Sequence, residues 1–289
     1  MTSPGPTLLL SVDFEDWHQL VRRRVGVAGW DQPGPALARQ TDALLNLFDE
    51  LNARATFFVL GMAARAHPEL VKRVVEHGHE IACHGDAHLP VHAQTPDEFA
   101  ADLRAARATI EDLSGCTPLG YRAPAFSITQ DSAWAFEVQA GEGFAYDASQ
   151  HDSPALRHRV APTDTSPHRI GSGLWEFPVA VWRIGHTGAR IPVGGASYWE
   201  LVPTAVLLKG LERAGSLAGL YLHPNELDPQ PLRATLPPGA TAKQTAHAKL
   251  RELQRNGARR RAPDVLRAIA RHFELIPYGE AHARLDSSA

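Results

Sequence analysis

The sequence predicts a distorted (β/α) barrel of seven or eight strands. Short apolar or β-branched runs alternate with longer stretches of helical spacing, the pattern of parallel strands joined by crossover helices. About seven such repeats can be read between Thr7 and Ile276. A length of 289 residues is enough for one barrel of this class.

The elements follow in order. The apolar run Thr7 to Asp13 ends in acids and reads as a buried strand. Leu37, Leu44, Leu45, Leu47, Phe48 and Leu51 repeat at helical spacing over 35–52. Ala55 to Leu60 is a second strand, closed by Gly61, and a helix over 63–76 follows, with Gly78 suited to a left-handed cap. Glu80 to Cys83 is a third strand. Thr95, Pro96 and Glu98 form a capping box that opens a helix running to Ser114. Leu119 to Tyr121 is a fourth strand, Asp131 to Ala140 a helix, and Phe144 to Tyr146 and Trp175 to Val181 are further strands. A helix after Pro203, a strand Gly219 to Leu222, a helix Asp264 to His272 and a last strand Phe273 to Ile276 complete the pattern. The segment 149–173 carries Pro, His and Ser without periodicity, which predicts a long loop over the site or a mobile insertion; 229–238 is a second such stretch. With no clear linker, residues 1–289 read as a single barrel domain, its core at 7–228 and a helical extension with the last strand at 240–278.

The totals exclude several classes. A net charge of -3 offers no electrostatic reason to bind nucleic acid. Two cysteines, Cys83 and Cys116, cannot make a disulfide framework. No run of 18 apolar residues exists, so no membrane span is expected. The start MTSPGPTLLLSVDFEDW lacks a basic region, and its apolar run is too short for a signal peptide, so the expected location is cytoplasmic. Oligomeric state leaves no mark on the sequence.

In a parallel barrel the loops at the C-terminal strand ends build the active site. Asp13, Glu15 and Asp16 follow the first strand, His84 and His88 the third, Arg122 the fourth, Asp147 the fifth and His223 a late one. His84 and His88, four apart, would share one face of a helical turn and could grip a single zinc ion. Asp13 and Glu15 share a face of an extended strand, and close carboxylates are relieved by a cation. One acid can then bind metal while another takes a proton from water.

Five ordered blocks, SVDFEDW, ATFFVLG, HEIACHGDAH, GYRAPAFS and LYLHPNE, resemble those of polysaccharide deacetylases with a NodB-homology domain, carbohydrate esterase family 4. The resemblance covers 7–228, and more weakly reaches Tyr278; it is nearest to the DVED-type members encoded with bacterial exopolysaccharide genes. It implies a metal-dependent hydrolase that removes an N-acetyl group from an amino sugar, so the partner is an N-acetylated glycan. The implied cofactor is a divalent metal, zinc by default, with cobalt, nickel or manganese compatible. Carried over position by position, Asp13 matches the base, His84 and His88 the histidine ligands, Arg122 the residue that orients the base, and His223 the general acid. The acidic ligand is Glu15 or Asp16, with Glu15 favoured by an acid-x-acid spacing. Ala125 stands where the family uses a backbone N–H donor, Asp147 where a residue could hold His223, and Trp17 and Glu226 are candidates to touch substrate. Two other functions fit part of this pattern: an allantoinase-like or cyclic-imide amidohydrolase, and a non-catalytic glycan-binding barrel.

Overall fold

The computed structural model describes residues 6–287 apart from 157, 158, 163 and 258. Its strands are β1 (Thr7–Phe14), β2 (Thr56–Val59), β3 (Glu80–Cys83), β4 (Gly120–Tyr121), β5 (Tyr146–Asp147), β6 (His168–Ile170), β7 (Leu174–Glu176), β8 (Val181–Ile184), β9 (Ala189–Pro192), β10 (Ala218–Leu222) and β11 (Glu274–Ile276). Its helices are α1 (Trp17–Val25), α2 (Leu37–Glu50), α3 (Gly61–Ala66), α4 (Pro68–Glu76), α5 (Pro96–Ser114), α6 (Ala135–Gly141), α7 (Thr204–Ala214), α8 (Ala242–Gly257), α9 (Ala262–Ala270) and α10 (Tyr278–Asp286).

The strands form the expected distorted barrel. Seven parallel strands run in the order β10-β1-β2-β3-β4-β5-β7, with β6 added antiparallel to β7. Beyond β7 the chain bends back onto β10: Ala180 N–H donates to the Gly219 carbonyl at 2.9 Å, and Gly219 N–H to that of Pro178 at 2.9 Å. Strand β1 is central, pairing with β10 along Leu8 to Val12 and with β2 along Ser11 to Phe14. The final strand β11 fills the space left beside the start of β1, from Thr7 to Leu9. The C-terminal extension is thus built into the sheet.

Strand pleating sorts the side chains of β1. Leu8, Leu10, Val12 and Phe14 point outward into the main core beneath the helices. Leu9 packs inside with Phe58, Tyr146, Phe177 and Tyr278. Ser11, Asp13 and Glu15 continue that inward row, so one strand carries apolar packing at its bottom and acids at its top.

Several local expectations need correction. The helix over 63–76 is two helices, broken at His67, because Pro68 disfavours helical backbone in the residue before it. The run Trp175 to Val181 is likewise interrupted, as Pro178 offers no N–H to a ladder. Helix α1 and the β8–β9 hairpin were not expected, although Asp16 caps α1 and Gly26 closes it in a left-handed conformation. In the segment 149–173, residues Ser149 to Ser153 are buried as part of the barrel wall, while 157, 158 and 163 lie outside the described residues. The capping box at Thr95 and Glu98 forms as read. No helix among the described residues is long and apolar enough to cross a membrane.

Candidate active site

Two strand ends bring a carboxylate and two imidazoles together. Glu15 lies just past β1, and His84 and His88 in the loop after β3. Their ligand atoms all lie within 4.8 Å of one another. Glu15 Oε2 is 3.0 Å from His88 Nε2 and 3.8 Å from His84 Nε2. Ligands around a tetrahedral zinc at its usual bond lengths would stand about 3.3 Å apart, so the trio fits such an ion with small adjustment. His84 Nδ1 lies 2.8 Å from the Arg122 carbonyl, an obligate acceptor, so Nδ1 carries the proton and Nε2 presents its lone pair. The two histidines do not share a helical turn as the spacing suggested. Gly85 (φ +77°) and His88 (φ +54°) both adopt left-handed backbone, and this bent loop aims both rings inward. Burial would raise the Glu15 carboxyl, but the neighbouring imidazoles, His88 foremost, hold it well below the usual carboxylate range.

A second group surrounds Asp13. Arg122, wholly buried, donates from Nη1 to Asp13 Oδ1 at 2.7 Å and to Ser11 Oγ at 2.7 Å. Its Nη2 donates to the Tyr278 hydroxyl at 2.9 Å and its Nε to the Ala148 carbonyl at 3.0 Å. The guanidinium also sits 4.1 Å over the Phe58 ring. Burial opposes its charge, yet the Asp13 carboxylate outweighs that and raises its pKa. A Cβ on Gly219 would collide with the Tyr278 hydroxyl, so only glycine lets that hydroxyl reach the guanidinium.

On the opposite side His223 Nε2 lies 3.6 Å from Glu15 Oε1 and 4.0 Å from Asp13 Oδ2. Behind it, Glu226 Oε2 accepts the His223 backbone N–H at 2.8 Å and stands 3.3 Å from Nδ1. Burial alone would lower the imidazole, but Glu226, with a smaller contribution from Glu15, pushes it up to about 9. Glu226 in turn is held by Ser197 and Arg255.

Residues 29–141 match the family model described as polysaccharide deacetylase, and 149–274 match a domain family of unknown function, DUF3473. The first match identifies a polysaccharide deacetylase domain over residues 29–141. Among curated relatives, the peptidoglycan deacetylase of Helicobacter pylori is 33% identical over 130 residues, covering 45% of this chain and 40% of that protein. Chitin deacetylase 1 of Cryptococcus neoformans is 31% identical over 116 residues, covering 40% of this chain and 24% of that protein. The chain therefore spans less than half the length of these two relatives. A crystal structure from Mycobacterium smegmatis assigned to the polysaccharide deacetylases superposes with a TM-score of 0.62 at 18% identity, covering 100% of this chain and 93% of that one, and shows the shared fold.

The other residues singled out in the sequence fall into different places. Asp16 does not join the trio; its carboxylate caps α1, accepting the backbone N–H of His18 at 2.8 Å and of Gly34 at 2.5 Å. Trp17 is not on the groove, because α1 turns it into a separate apolar cluster with Val21, Val25, Val27 and Leu232. Glu226 stands behind His223 rather than facing substrate, since its oxygens are engaged and the side chain is buried. Asp147 does not hold His223; it pairs with buried Glu176 and accepts from Ser149 at 2.7 Å. Ala125 is exposed in left-handed backbone (φ +53°), next to buried Phe126, which packs against His151 and Tyr221.

Four supporting residues went unremarked in the sequence. Ser11 was legible as the next inward position below Asp13. Tyr278 had no local signal, as it arrives from 156 residues beyond Arg122. Arg23 on α1 donates to the carbonyls of Ala87 at 2.6 Å and His88 at 3.1 Å, bracing the loop that carries His84 and His88. His151 packs against Phe126 and Tyr221, its imidazole lowered to about 3 by burial and the charge of Arg122.

Proposed function

We propose that this chain is a metal-dependent N-deacetylase that hydrolyses the acetamide of an amino sugar within a glycan, releasing acetate and a free amine. The observation that carries the reading is the convergence of Glu15, His84 and His88, flanked by Arg122-bound Asp13 on one side and Glu226-backed His223 on the other. Glu15 and the two histidines would hold a divalent ion. Mixed imidazole and carboxylate donors suit zinc, and also cobalt, nickel or manganese. When bound, the ion supplies Lewis acidity to the acetyl carbonyl and lowers the pKa of water.

The chain's own groups then divide the proton work. Asp13, with Oδ1 fixed by Arg122, offers Oδ2 toward the site and accepts the proton of the attacking water. His223, whose proton Glu226 favours, delivers it to the leaving nitrogen. The backbone N–H of Ala125 donates to the carbonyl oxygen as negative charge develops there. We read residues 7–278 as one catalytic unit, because Tyr278 braces the arginine that aims the base.

The test is metal analysis of purified protein together with acetate release from N-acetylglucosamine oligomers, before and after chelation. Expected are about one equivalent of divalent metal and activity lost on chelation and restored by zinc. Chelated protein with full activity would overturn the metal role. Ring opening of allantoin without acetate release would overturn the deacetylase assignment.

A further inference from the structure

We propose that the cavity between the β8–β9 hairpin and the segment after β5 is a subsite for a carboxylate-bearing sugar, so that the glycan deacetylated here is an acidic one. The proposal rests on the deacetylase reading above and narrows its substrate class. Arg183 and Arg190 are direct partners across the hairpin. Like charges so placed repel unless an anion lies between them. Asp152, with only 3% of its side chain exposed, supplies one carboxylate, 2.8 Å from Arg183 and 2.7 Å from Arg190. Two guanidiniums against one carboxylate leave one positive charge. The arginine side chains are 41% and 43% exposed, so their outer edges face solvent.

These residues line a cavity of about 280 Å³ together with Pro162, Gly185 and Gly188. A Cβ on either glycine would meet nothing within 4 Å, so the floor there is bare backbone open to a ligand. The volume is near the lower bound of about 300 Å³ for small-molecule sites, room for one sugar substituent rather than a chain. Its position suits a neighbouring sugar unit. Strand β8 continues from the barrel-closing residues 178–180, which run parallel to β10 toward the strand ends that carry His223. A row of rings links the two places: His223 to Tyr221 at 5.9 Å, and Tyr221 to His151 at 5.9 Å, with Asp152 next in sequence.

The charge balance selects the ligand. A carboxylate matches the single positive charge left by Asp152, and guanidinium forks bind planar carboxylates through paired hydrogen bonds. A diphosphate would leave negative charge uncompensated beside Asp152.

The experiment compares three acetylated substrates: neutral N-acetylglucosamine oligomers, the same sugar alternating with hexuronate, and UDP-N-acetylglucosamine. Expected is a kcat/KM about tenfold higher for the hexuronate series at low ionic strength, shrinking as salt rises. Arg183→Gln and Arg190→Gln should bring the two oligomer series to parity without changing turnover of the neutral one, while Arg190→Lys keeps part of the preference. No preference in the wild type, a preference that survives both glutamine variants, or a preference for UDP-N-acetylglucosamine would each overturn the subsite. If no substrate releases acetate, the deacetylase reading fails separately. The subsite is then judged by whether glucuronate shifts the Gly185 and Gly188 amide resonances in wild type and not in Arg190→Gln; no shift overturns it.

Discussion

Replacing Glu226 by glutamine isolates the charge that holds a proton on His223. Glutamine keeps an oxygen to accept the His223 backbone N–H, removes the negative charge, and turns an amide group toward Ser197 and Arg255 in place of Oε1. The two groups stand 3.3 Å apart and both are buried. At an effective dielectric of about 20 their attraction is about 5 kcal/mol, part of which offsets the cost of burying the imidazolium. The net result is an imidazole moved from 6.5 to about 9, equivalent to about 3 kcal/mol. Glu15, 3.6 Å from Nε2, still contributes after the substitution, so the expected fall in the variant is about two pH units rather than complete. The assay is an NMR titration of the His223 imidazole in metal-free protein, wild type against Glu226→Gln. A midpoint that moves by less than half a unit would refute the reasoning and assign the proton to Glu15 instead. The sign for stability follows. The folded pKa is raised, so this contribution is fully present below pH 6.5 and is lost as pH rises through about 9. Metal-free wild type should therefore lose stability to urea between those values, and the variant should show a flatter profile.

Other outcomes follow from the same geometry. Asp13→Asn should keep metal binding and lower kcat by about 10²- to 10⁴-fold, read by acetate release beside metal analysis; full activity would remove Asp13 from the base role. His84→Ala should lose the metal itself, seen by calorimetric titration of zinc, because one of two imidazole donors disappears. Asp16→Asn should leave zinc affinity unchanged and lower Tm modestly, because the amide oxygen keeps the α1 cap but the Gly34 N–H loses its acceptor, a loss of about 1 kcal/mol. Tyr278→Phe should cost about 1–3 kcal/mol in urea unfolding, since it leaves a buried guanidinium N–H without its acceptor.

Much of the site was legible before folding was considered. The inward row Leu9, Ser11, Asp13 and Glu15 follows from strand periodicity alone. The capping box at Thr95, the left-handed glycine at Gly78 and the acids and histidines at the ends of apolar runs are likewise local features of the chain. Such signals survive in sequence because they depend on residues a few positions apart, whose relative placement the backbone geometry already restricts.

Only the tertiary structure decided which of these groups meet. It separated Glu15 from Asp16 by turning the chain into α1 one residue after Glu15, so that one acid faces the imidazoles and the other caps a helix. It set Glu226 behind His223, turned Trp17 into an apolar cluster, and delivered Tyr278 to Arg122 across the barrel. The physical reason is range: a helix cap or a strand face is determined within one turn or one pleat, whereas a buried guanidinium finds its partners only when strands distant in sequence close around it.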